Sequence, residues 1–72
     1  MTDTIQRKQY KRLVVKLKDS RLELGMTQVE VAEKLKKPQS YISKVESGEQ
    51  RIDVIELKSF ANLYKKQLSY FV

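Results

Sequence analysis

The sequence contains no cysteine and no histidine. No disulfide can staple the fold, and neither thiolate nor imidazole is on hand to ligate a metal. Zinc-stapled folds and catalysis by Ser–His or Cys–His sets are excluded with them. Glycine and proline are scarce, at two and one, and no segment alternates polar and apolar residues for long, so strands are not expected. The longest strictly apolar runs are no longer than Leu13-Val14-Val15 and Tyr70-Phe71-Val72, too short to span a bilayer. Met1 to Tyr10 lacks the apolar core of a signal peptide, so a cytoplasmic location is expected. The 72 residues allow one domain. Such a chain buries only roughly 60% of its unfolded surface and relies on helix packing, self-association or both.

Charge, by contrast, is abundant. Fifteen Lys and Arg against nine Asp and Glu give a net charge of +6. That balance favours polyanionic partners, nucleic acid first and an anionic membrane surface second. The excess is uneven: residues 1–24 hold seven basic and three acidic side chains, and each later third holds four and three.

Apolar spacing is helical throughout. Tyr10, Leu13, Val14, Leu17 and Leu24 fall on one face of a first helix, with Arg21 on the same stripe, and Gly25 stops it. Residues before about Ile5 are expected to fray. Thr27 and Glu30 form a capping box, with Met26 and Val31 as its hydrophobic staple, ahead of an inner face of Val31, Ala32 and Leu35. Pro38 opens a third helix to Ser47, whose inward residues are Ile42 and Val45 and whose stop is Gly48. Asp53 and Glu56 repeat the capping box, with Ile52 and Leu57 as staple. The fourth helix carries the stripe Val54, Leu57, Phe60, Ala61 and Tyr64, and Leu68 to Val72 form a last short turn. The reading is all-α: a compact five-helix bundle forming one domain over residues 1–72.

Two short helices joined at Lys36-Lys37 fit a helix-turn-helix, whose second helix enters a major groove. The solvent stripe of that second helix is Gln39, Ser40, Ser43, Lys44 and Ser47. Gln can pair with adenine, Lys can reach guanine and Ser can serve either. An ordinary solvated face would carry more Glu and fewer Ser, since Ser is a mediocre helix former. The stripe has no carboxylate, which a phosphate-lined groove would repel.

The run from Gly25-Met26-Thr27-Gln28 through Ala32 to Leu35, then Pro38-Gln39-Ser40-Tyr41-Ile42-Ser43-Lys44-Val45-Glu46-Ser47-Gly48, closely resembles the Cro and phage-repressor helix-turn-helix, also called the XRE family. The resemblance covers about Tyr10 to Phe71. It implies a lambda-repressor-like domain, and a transcriptional regulator, mostly a repressor, that binds palindromic double-stranded DNA as a homodimer. No cofactor, metal or small-molecule ligand is implied. Gln28 matches a glutamine that holds a phosphate and touches Gln39, the first glutamine of the recognition helix. Gln39, Ser40 and Lys44 match base-reading positions, with Ser43 a phosphate or base neighbour. Lys37, Tyr41 and Ser47 complete the expected DNA-binding set. Arg21 and Glu46 match a buried ion pair. Lys36 and Lys65 stand where the family commonly has turn glycines, so those turns are expected to carry strain.

Blander readings stand beside these. Gln28 and Gln39 could be exposed amides at helix ends, and Lys44 a solvated lysine paired with a glutamate. Tyr41 could pack sideways on the second helix. Arg7, Lys8, Lys11 and Arg12 form a solubilising face unless they meet phosphates. Leu68, Tyr70 and Phe71 are either late core or a dimer face. A protein-interaction module on the same fold, such as an antitoxin-type partner binder, is the competing function. An enzyme is not expected, because no nucleophile–base set or phosphate-cradling glycine loop is present.

Overall fold

Four of the five helices begin or end where short-range chemistry says they should. In a computed structural model, which describes residues 2–72 and side chains from Arg7 onward, the chain forms α1 (Thr2–Glu23), α2 (Gln28–Leu35), α3 (Gln39–Ser47), α4 (Val54–Tyr64) and α5 (Leu68–Phe71). The first helix begins at Thr2. Both capping boxes form. The Glu30 amide donates to Thr27 Oγ1 at 3.1 Å and the Thr27 amide to Glu30 Oε1 at 2.9 Å. Asp53 and Glu56 repeat this at 2.8 and 3.0 Å. Pro38 sits one residue outside α3, as an extended N-cap with no side-chain bond.

Gly25 and Gly48 take the left-handed turns after α1 and α3, at φ +67° and +84°. Lys36 and Lys65 make the same turn without glycine, at φ 57° and 59°. The following amides close the turns, Lys37 onto the Ala32 carbonyl at 2.9 Å and Lys66 onto that of Ala61 at 3.0 Å. The expected strain is therefore present at both lysines, since a Cβ in this region crowds the backbone.

The core is one cluster of Leu17, Val31, Ala32, Ile42, Val45, Leu57, Phe60, Ala61, Tyr64 and Phe71. Met26, Leu35 and Ile52 pack at its edge, as their staple and stripe positions predict. Two residues of the expected apolar stripes are exposed instead. Leu24 lies beyond the end of α1 and is exposed, and the inner face of α1 is completed by Ser20 and Arg21 instead. Val54, the first residue of α4, points to solvent. The pairing of α2 with α3 is the most extensive in the molecule, and α1 packs across α3. That crossing sets the geometry of the site.

Candidate nucleic-acid interface

One carboxylate lies in α3, that of Glu46, and it faces inward. Arg21 reaches it from α1, with Nε donating to Oε2 at 2.7 Å and Nη2 to Oε1 at 3.0 Å. Both side chains are below a tenth exposed. The third guanidinium nitrogen, Nη1, donates to the Met26 carbonyl at 2.8 Å in the turn after α1. The bond to Glu46 raises the Arg21 pKa further against the opposing effect of burial, so the guanidinium stays charged.

The same carboxylate orients the recognition side chains. Gln28 Nε2 donates to Glu46 Oε1 at 3.1 Å, and Gln39 Nε2 donates to Gln28 Oε1 at 2.7 Å. The direction of this relay is dictated by chemistry. Ionised Glu46 can only accept, so the Gln28 amide must present its nitrogen inward and its oxygen outward. Gln39 then turns a nitrogen toward Gln28. Its second amide hydrogen and its Oε1 have no partner among the described residues.

Ser40, Ser43 and Lys44 extend this exposed surface along α3. Lys37 lies beside it, exposed, with its ammonium 5.0 Å from the Tyr41 ring centroid. Ser47 is exposed at the far end, but its hydroxyl donates to the Lys44 carbonyl at 3.0 Å and accepts from the Glu49 amide, which ties it to the helix end.

Tyr41 is turned toward α4. Its ring lies against Phe60 of α4, 6.4 Å between centroids, and its hydroxyl donates to Glu56 Oε2 at 2.7 Å. It packs on α4, not on α2, and its hydroxyl is engaged within the protein. Burial, then the Glu56 bond, push its pKa above the ordinary tyrosine value. Tyr41 therefore braces α3 against α4.

The C-terminal residues differ in burial. Phe71 is 4% exposed and belongs to the core, and Leu68 packs against it. Tyr70 lies between Lys16 and Lys66, whose ammonium groups are 5.2 and 4.6 Å from its ring centroid, and Lys16 Nζ donates to its carbonyl at 2.9 Å. Phe71 and Leu68 thus help to close the bundle, while Tyr70 stays exposed.

Two contacts carry no mark in the sequence. Tyr10 Oη donates to the Gln50 carbonyl at 3.1 Å, and the Arg51 guanidinium lies 4.5 Å from the Tyr10 ring centroid. They tie the α3–α4 loop to α1. Arg51 follows no stripe or capping pattern, so spacing alone could not single it out.

A helix-turn-helix family model matches residues 17–71. The structure is also similar to that of an XRE-family like protein from Pseudomonas syringae pv. tomato str. DC3000, with 37% sequence identity, a TM-score of 0.90, and 97% of this chain and 85% of that one covered. The chain belongs to the XRE helix-turn-helix family. No curated protein matches it. As a member of the XRE family it is a DNA-binding regulator. The XRE-type motif itself is the α2–turn–α3 unit described above. The match begins at Leu17, so most of the basic half of α1 lies ahead of it. No helix among the described residues is long and apolar enough to cross a membrane.

Proposed function

We propose that the protein reads a specific double-stranded DNA sequence by inserting α3 into the major groove, and represses by occupying the site. The observation that carries this reading is the sorting of charge on α3: its carboxylate is held inward by Arg21, while Gln39, Ser40, Ser43 and Lys44 face solvent. The free oxygen and second amide hydrogen of Gln39 match the N6 donor and N7 acceptor of adenine, and Lys44 suits guanine O6 and N7. Pro38 leaves the first amides of α3 without a side-chain cap, and Lys37 is beside them, which suits a phosphate.

Two copies on a twofold-symmetric site complete the proposal. With Phe71 inside the core, the exposed apolar pair Val54 and Ile55, 55% and 64% accessible at the start of α4, is the better surface for the second copy.

Selection of bound duplexes from a random pool tests the reading. A palindromic preferred site is expected. Gln39→Ala and Lys44→Ala should each weaken binding to that site by about 1–3 kcal/mol and leave binding to random duplex nearly unchanged. Equal losses on both would refute base reading by α3.

A further inference from the structure

The recognition stripe does not end at the C-terminus of α3. Ser47 and Gly48 also form one wall of a cleft of about 260 Å³, whose other walls include Arg7, Tyr10 and Lys11 of α1 and Arg51 of the α3–α4 loop. Three cations converge there and none of the lining residues is acidic. Glu49, the nearest carboxylate in sequence, lies in the same loop but does not line the cleft. The volume falls below that of sites for drug-sized ligands, about 300–1,000 Å³, but leaves room for a phosphate group.

The cleft is a built feature. The bond from Tyr10 Oη to the Gln50 carbonyl and the stacking of Arg51 over Tyr10 lock the loop against α1. Arg7 and Lys11, four residues apart on α1, line the cleft beside buried Val14. Across residues 4–18 there are six basic residues and no acidic one. This α1 segment lies almost wholly ahead of residue 17, where the family match begins, so the helix-turn-helix motif does not account for it. At 22 residues α1 is about 33 Å long, most of the molecule's 38 Å longest dimension, and it packs on α3, α4 and α5.

We infer that Arg7, Lys11 and Arg51 form a second contact with DNA, a phosphate clamp on the backbone that flanks the base pairs read by α3. The inference rests on the DNA-reading role proposed above, since α3 in a major groove brings a bordering phosphate strand past Ser47 and hence past this cleft. The clamp carries no base discrimination. It lengthens the footprint and steepens the salt dependence of binding.

The test uses the full chain, the variant Arg7→Gln/Lys11→Gln, and two duplexes, one with flanking sequence and one trimmed to the base pairs read by α3. Binding is followed by fluorescence anisotropy over a range of salt. Two lost phosphate contacts should make the slope of log K against log salt shallower by about 1.8 on the flanked duplex. The affinity gap between wild type and variant should therefore narrow about tenfold between about 50 and about 200 mM salt. On the trimmed duplex the gap should nearly vanish, and the preferred sequence should be unchanged. An unchanged slope, or an equal loss on both duplexes, overturns the clamp, as does binding of the α1 face to an acidic protein in place of flanking DNA. Wild type that selects a preferred site yet shows no slope difference overturns the clamp alone. Wild type that selects no site removes the underlying reading as well. Arg7 and Lys11 are exposed, so an unaltered melting curve is expected of the variant.

Discussion

Glu46→Ala is the perturbation that probes most of this architecture at once. It removes both charged acceptors of Arg21 and leaves that guanidinium, at 7% residue exposure, with one neutral partner, the Met26 carbonyl. It also frees the Gln28 amide that faced the carboxylate. Breaking a buried pair from one side costs about 3–5 kcal/mol, because the surviving charge keeps its desolvation penalty. A small domain holds only about 5–15 kcal/mol in total. For a chain of this length each kcal/mol shifts Tm by about 4–8 °C, so a drop of about 15–30 °C is expected. Arg21→Met should be comparably damaging, because Glu46 then keeps only the Gln28 amide. The double exchange Arg21→Met/Glu46→Leu buries no charge and should lose far less than the sum of the two singles. Thermal melting by circular dichroism on wild type, the two single variants and the double reads all of this. Glu46→Ala melting within a few degrees of wild type would refute the reasoning, because the pair would then be effectively solvated.

Four further outcomes follow from particular residues. Lys65→Gly should raise stability by about 1 kcal/mol, since it relieves a left-handed turn, and should leave DNA binding alone. Lys36→Gly should gain similarly in thermal melting yet weaken DNA binding, because it also removes a cation beside the recognition helix; equal DNA affinity would place Lys36 away from phosphate. Tyr64→Phe should be neutral or stabilising, because its hydroxyl is buried with no hydrogen-bond partner, a situation that costs about 1–3 kcal/mol; a clear loss of Tm would show that the hydroxyl is bonded. Burial raises the pKa of Tyr64, and burial with the Glu56 bond raises that of Tyr41. The unfolded chain therefore loses these protons first: stability is complete below about pH 10 and falls as pH climbs beyond it. Tyrosinate absorbance at these two residues should appear together with loss of helix, and Tyr41→Phe or Tyr64→Phe should flatten that alkaline decline.

What could be read from the sequence was what lies within a turn or two of helix. A capping box needs partners three residues apart, so Thr27–Glu30 and Asp53–Glu56 were visible before any fold was known. The inner faces of α2 and α3 were equally plain, because Val31, Ala32, Ile42 and Val45 recur at helical spacing. Leu24 and Val54 misled for a reason of the same kind. Each lies at a helix end, where periodicity still holds but the neighbouring helix no longer covers the face. Tyr41 and Phe71 required tertiary knowledge. The partner of Tyr41 is fifteen residues on, and an apolar C-terminus looks the same whether α5 folds back or not.

The interface lies between these extremes. Spacing alone exposed the carboxylate-free stripe of α3, but it could not join Gln39 to Gln28, eleven residues apart, or Gln28 to Glu46, eighteen apart. Only resemblance to a family supplied the first of those pairs, and it gave no direction to the bonds. The direction comes from Glu46, which can accept but not donate while ionised. Arg21 holds that carboxylate from α1, and so the ion pair that joins α1 to α3 also orients the Gln39 amide. Stability and base reading are thus coupled at one carboxylate. A substitution at Glu46 that preserved the fold, such as the apolar double exchange, should still blur adenine preference at the position read by Gln39, whereas the same exchange should leave a phosphate contact by Lys37 intact. Retained affinity for random duplex with relaxed sequence preference is the outcome that separates the two roles.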